Sequence, residues 1–185
     1  MIHHILSAIT DDLNSFLMRK NGAQEPVVEL SALVNLDGSI AISGKNKVVC
    51  SLVNIRQDRT TYNMTLSKSE KKNPPVQLNL FILFSAYYQS DNYQEGLKAL
   101  SNILGFFQGK QIFTPQNTSY LSGNIKKFTL ELVDIDLNDI GNFWSALGGR
   151  HLPAVLYKCR LISITEDMIL EDIPAIKGFN ENPIN

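Results

Sequence analysis

Val76-Gln77-Leu78-Asn79-Leu80-Phe81-Ile82-Leu83-Phe84 is the most apolar strand candidate in the chain. Seven of its nine residues are apolar, it follows Asn73-Pro74-Pro75, and Ser90-Asp91-Asn92 closes the region downstream. A run of this length and content, bounded by turn residues, reads as a strand at the centre of a sheet. Everything else is placed relative to it.

Upstream, Ile2, Ile5, Leu6, Ile9, Leu13, Phe16 and Leu17 recur at three- and four-residue spacing. They form one apolar stripe of an amphipathic helix, which Asn21-Gly22 ends. Val27 to Leu33 alternates like a half-buried strand and is closed by Asp37-Gly38, and Val48 to Ile55 is a β-branched strand. Thr60 to Pro75 is polar and Lys-rich and reads as an exposed loop.

Downstream, Tyr93, Leu97, Leu100, Ile103, Leu104 and Phe107 form a second helical stripe, stopped at Gln108-Gly109. Ile112-Phe113 reads as a short edge strand, and Lys127 to Val133 as a strand with one wet face. Asp136-Leu137-Asn138-Asp139 is expected to open a third helix that runs through Leu147, and Ala154 to Leu161 to form the last strand. Strands follow strands as well as helices, so the expected class is α+β (mixed α/β). The expected architecture is a single domain with a largely antiparallel mixed sheet and about three helices packed on one side of it. The domain is expected over residues 1–165, with 166–185 as a C-terminal tail or contact arm.

Composition narrows the function. Seventeen Lys and Arg against eighteen Asp and Glu leave a net charge of -1, so there is no broad basic field for nucleic acid or anionic lipid. Met1-Ile2-His3-His4-Ile5-Leu6 lacks the basic start of a signal peptide, and the apolar run from Leu78 to Tyr88 is far short of the ~20 residues that span a bilayer. A cytoplasmic origin is expected, with release as part of a particle left open. Cys50 and Cys159 each lie within an apolar run and read as inert core thiols.

The residues offer little chemistry. The glycines form neither a phosphate loop nor a dinucleotide fingerprint. His3 and His4, as helix neighbours, are expected to point to different faces, and His151 sits in a turn, so neither a cofactor nor a metal is expected. Asp134, Asp136 and Asp139 resemble a carboxylate cluster, but acids at a helix start cap its amides and favour its dipole. Lys45, Lys47, Lys68, Lys71 and Lys72 crowd the loops with Tyr62 as their only aromatic neighbour, and they read as solvated. No catalytic residue emerges, and the chain is expected not to be an enzyme.

Five stretches carry a resemblance. Lys47-Val48-Val49-Cys50-Ser51-Leu52-Val53-Asn54-Ile55 resembles a K-x-x-x-S-L-V-N-I strand, and Pro74 to Phe84 resembles P-P-x-x-L-N-L-Y-x-L-F. Tyr93 to Ser101 with Phe106-Phe107-Gln108 resembles a Y-x-x-x-L-x-x-L-S … F-F-Q helix. Leu130-Glu131-Leu132-Val133, and then Asn142 to Gly149 with Leu152 to Lys158, resemble L-E-L-V … N-x-W-x-x-L-G-G-x-x-x-P-S-V-L-Y-K, with Ala154 where the family often has Ser. Together they resemble the cap, or tail-terminator, proteins of phage-tail-like extracellular contractile injection systems of the antifeeding-prophage and virulence-cassette type.

That resemblance implies a structural subunit of a homo-oligomeric ring, expected to be a hexamer, that ends the inner tube and anchors the last sheath ring. The implied partners are further copies of itself, the inner tube protein and the sheath protein, with no nucleic acid and no membrane. The Lys68 to Pro75 loop, with Lys68, Lys71 and Lys72, and the tail are the expected contact arms. Trp144 reads first as helix core and second as an interface anchor. Gly148-Gly149 reads first as a helix stop and second as tight subunit contact, with Arg150 beside it. The competing readings are a baseplate or tube-proximal adaptor of the same particle, and a ligand-binding or hydrolytic domain built on Asp134 to Asp139.

Overall fold

The computed structural model describes residues 1–22, 24–42, 44–58, 76–121, 125–148 and 151–164. In chain order the elements are α1 (Ile2–Asn21), β1 (Val28–Leu30), β2 (Lys47–Gln57), β3 (Val76–Tyr87), a single 3₁₀ turn (Ser90–Asn92), α2 (Tyr93–Gly109), β4 (Ile112–Phe113), β5 (Phe128–Val133), α3 (Ile140–Ala146) and β6 (Ala154–Ile164). The strands make one six-stranded sheet in the order β1-β2-β3-β6-β5-β4. Only the β1–β2 pair is parallel; the other pairs are antiparallel. The α+β class, the mixed sheet and the central position of β3 are as the sequence predicts.

Side-chain alternation divides the sheet into two faces. Val48 and Cys50 of β2, Leu80, Ile82, Phe84 and Ala86 of β3, Phe128 and Leu130 of β5, and Tyr157 and Cys159 of β6 point to the first face. Against them α1 lays Ile5, Leu6, Ile9, Leu13 and Leu17, and α2 lays Ala99, Leu100, Ile103, Phe106 and Phe107. Phe16 meets Phe106 at 5.1 Å where the two helices touch, and Phe107 packs between Tyr157 at 4.6 Å and Phe84 at 5.3 Å. Each such side chain fully withdrawn from water contributes about 1.5–3 kcal/mol before entropy is counted, so this aromatic seam is the main hydrophobic core.

Val49, Leu83 and Leu156 point to the second face, where Leu33 and Trp144 complete a smaller core. The helices were expected on one side of the sheet. α1 and α2 lie there, whereas α3 carries Trp144 onto the opposite face.

Other boundaries also differ from those expected. The first strand shrinks to three residues because the segment from Leu33 to Ile42 leaves the sheet and folds back on itself through an isolated Val34–Ile40 bridge. α3 begins only at Ile140, because Asp136 shapes a separate turn before it. At the end of α1, Gly22 adopts φ 63°, the left-handed conformation that closes a helix at the cost of a Cβ clash in other residues.

Candidate assembly surfaces

The candidate chemical groups that lie among the described residues have ordinary structural surroundings. Cys50 and Cys159 are free and fully buried. Loss of hydration pushes the Cys50 thiol up to about 12 and raises the Cys159 thiol as well. Thiols held protonated in an apolar core are poor nucleophiles. Among the described residues, no group of three or more His, Cys, Asp or Glu could hold a metal ion. His3 and His4 do not diverge to separate faces as expected, since their rings lie 3.9 Å apart on the exposed side of α1.

The acidic cluster makes a turn and no cap of the expected kind. Asp136 Oδ1 accepts the backbone N–H of Asn138 at 2.8 Å and its side-chain N–H at 2.9 Å. Asp139 occupies the position before α3, and its carboxylate makes no cap hydrogen bond. Asp136 is thereby committed to local geometry, with both of its hydrogen bonds made to Asn138.

Of the site residues predicted from sequence, Lys68, Lys71, Lys72, Gly149 and Arg150 lie outside the described residues. Trp144 is 5% exposed and packs with Leu33, Val49, Leu83 and Leu156. Phe143 and His151 meet its ring at 5.9 and 5.6 Å. Gly148 follows α3 with φ 65°, and a Cβ there would sit 3.2 Å from Val34 Cγ2. That glycine lets the end of α3 and the Val34–Ile40 turn approach each other, and between them lies a cleft of about 550 Å³ lined by Leu33, Val34, Ile40, Ile42 and Leu152. Two loop tips on this side present apolar side chains to solvent, Leu36 and Leu137.

The two sheet edges are unlike. At β1, Asn14 of α1 stands in for a neighbouring strand. Its Oδ1 accepts from Val27 N at 3.0 Å and Val28 N at 2.8 Å, and its Nδ2 donates to Val28 O at 2.8 Å. Those outward backbone groups are thereby occupied, which removes them as a template for a further strand. Nothing in the sequence of α1 announces this beyond a polar residue inside an apolar stripe.

At the other edge β4 covers only the start of β5, pairing Phe113 with Phe128 and Ile112 with Thr129. Leu130 donates its N–H outward to Gln111 O at 3.0 Å. Antiparallel alternation then turns the Leu132 peptide groups to that same outer side, beyond the last residue pair of β4. The Leu132 side chain is 55% exposed and Ile112 47%. This edge is therefore less covered than the β1 edge.

With this geometry in view, the comparisons with known proteins identify the fold. A family model described as the Pvc16 N-terminal domain matches residues 4–177. No curated protein sequence matches. Among solved structures, the sheath/tube terminator in the extended state of PVC, an extracellular contractile injection system, aligns with 90% of this chain and 57% of its own, at 20% identity and TM-score 0.55. The tube-terminating cap of the anti-feeding prophage aligns with 97% of this chain and 60% of its own, at 15% identity and TM-score 0.54. This chain thus spans less than two thirds of the length of either structure, and at these identities the likeness is one of fold. The sequence resemblance and the family match agree over nearly the whole chain: it belongs to the Pvc16 N-terminal domain family.

Proposed function

We propose that the chain is a structural, non-enzymatic terminator subunit that caps the tube of a contractile injection particle. The observation that carries this reading is the family match over residues 4–177, joined to a fold shared with two proteins described as tube terminators. The surfaces support it. A terminator needs a rigid core, edges and apolar tips for partners, and no reactive group. The main core, the open β5 edge and the tips Leu36 and Leu137 supply the first two.

In this reading several copies close into a ring, expected to be a hexamer, that stops tube growth and holds the last sheath ring. Lys68, Lys71, Lys72, Gly148, Gly149 and Arg150 belong to the contacts between subunits and with tube and sheath, while Trp144 fixes α3 beneath them. Residues 1–165 form the cap domain and 166–185 the arm. The subunit is made in the cytoplasm and leaves it as part of the particle.

Light scattering followed by negative-stain imaging tests the proposal. A species of six 20.7 kDa chains, about 124 kDa, with ring-shaped images is the expected result. If the chain is monomeric, assembled tubes are added. Binding at one tube end retains the reading, and absence of binding to tubes ends it. Decoration along the tube, or at the baseplate end, would instead mark an adaptor.

A further inference from the structure

Beyond the Trp144 core, the second face of the sheet carries a cationic patch assembled from four strands. In one row across the sheet, Arg56 of β2 pairs with Asn79 of β3, and Arg160 of β6 pairs with Thr129 of β5. In the next row, Phe81 of β3 stands between Asn54 of β2 and Lys158 of β6, with Glu131 of β5 beyond. The Phe81 ring is held between two cations, Arg56 Cζ at 5.3 Å and Lys158 Nζ at 6.0 Å from its centroid. Arg160 pairs with Glu131 at 3.0 Å, so three cations face one carboxylate within the two rows. Among the described residues Asp58, one residue past β2, is a further acid at this end of the sheet.

Asn79 adds a second feature. It is 6% exposed, and among the described residues its Oδ1 accepts no hydrogen bond. A buried amide oxygen without a donor is costly, so this row carries an unmet polar group beside its cations.

The charge of the chain is unevenly divided. Residues 1–164 hold sixteen Lys and Arg against thirteen Asp and Glu, whereas residues 165–185 hold Glu166, Asp167, Glu171, Asp172 and Glu181 against Lys177 alone. The first part of this segment reads Glu166-Asp167-Met168-Ile169-Leu170-Glu171-Asp172, two acidic pairs around an apolar triplet. The patch offers the converse, cations around an aromatic ring. The segment also starts in the right place, since Ile164 ends β6 four residues beyond Arg160 and six beyond Lys158. Six strand residues are ~20 Å, and the eight residues 165–172 can reach at most ~27 Å, enough to return over the patch.

We propose that this cationic half-face is a docking surface for an acidic peptide, and that its occupant is the chain's own segment 165–173. Carboxylates of the segment meet Arg56, Lys158 and Arg160, and its apolar triplet covers Phe81. The inference stands on the charge and register of this chain and does not depend on the terminator reading.

Zero-length carbodiimide coupling of the full chain, mixed from ¹⁴N- and ¹⁵N-labelled protein and read by mass spectrometry, tests it. The exposed Lys98–Glu95 pair, at 2.7 Å, is the internal control for coupling. The expected product joins Lys158 to Glu166, Asp167, Glu171 or Asp172 within one isotope label. Its yield should fall at least fivefold in Arg56→Gln/Arg160→Gln, with the control link unchanged. Coupling of Lys158 only to Glu131, or of the tail carboxylates chiefly to Lys68, Lys71 and Lys72, would overturn the proposal. Links only between different labels would overturn docking within one chain and assign the tail to a neighbouring copy. A yield indifferent to the double substitution would show that the patch does not hold the segment.

Discussion

Replacing Asn14 by Ala probes how the β1 edge is closed. The substitution removes two buried hydrogen bonds at 2.8 Å and one part-buried at 3.0 Å, and leaves Val27 N, Val28 N and Val28 O without their partner. At about 1 kcal/mol net for each bond, the loss is about 3 kcal/mol. Alanine restores some of this, because in a helix interior it is favoured over asparagine by about 0.6 kcal/mol. The expected net destabilisation is therefore about 2.5 kcal/mol, equivalent to about 5–10 °C in the melting midpoint of a chain of this size.

Urea unfolding followed by circular dichroism measures it, and the midpoint should drop with an unchanged slope. Ser15→Ala, one position along on the exposed side, removes only a local bond to Asp11 O and should cost less than about 0.5 kcal/mol. Asn14→Ala should also promote aggregation, because the β1 backbone becomes available to other strands. If Asn14→Ala cost no more than Ser15→Ala, the bond set would be contributing nothing, and the reasoning about this edge would be wrong.

Four further outcomes are expected. Gly148→Ala should cost about 1–2 kcal/mol, since it combines a φ of 65° with a Cβ 3.2 Å from Val34, and thermal melts read the change. Trp144→Ala should cost about 3–5 kcal/mol in urea midpoints and loosen α3, visible as faster hydrogen exchange in residues 140–147. Asp136→Ala should lose about 0.5–1.5 kcal/mol with native mass unchanged, whereas a catalytic acid would leave stability intact. The fourth concerns alkaline pH. Cys50 stays protonated in the fold up to about 12 but ionises from about 9 when unfolded, so stability is retained below pH 9 and falls as pH rises from 9 towards 12. The loss approaches ~1.4 kcal/mol per pH unit for one such thiol, and Cys50→Ala should flatten that slope in urea titrations at pH 8, 9.5 and 10.5.

What was legible in the sequence was what repeats locally. The stripes of α1 and α2 and the apolar run of β3 have a period that only one kind of element satisfies, and Gly22 ends α1 as read. The five motif stretches likewise gave the family. What was illegible depends on partners distant along the chain. The side of the sheet taken by α3 follows from where Trp144 finds Leu33 and Val49, about a hundred residues earlier. Asn14 is an ordinary interruption of a stripe until Val28 lies beside it. Arg56, Phe81 and Lys158 form a patch only because β3 lies between β2 and β6, and no spacing within any one stretch displays it.

The strand order also governs when the molecule becomes whole. β6 is the last strand of the described chain, yet it lies between β3 and β5 and joins both. Before it is synthesised, the emerging polypeptide has two separate half-sheets, β1-β2-β3 and β4-β5, whose inner borders lack a mate. The aromatic seam cannot close either, because Tyr157 arrives on that same strand. β6 is thus a keystone: a polypeptide interrupted anywhere before it would leave two sticky borders and an unfinished core, which marks unfinished copies for aggregation or destruction.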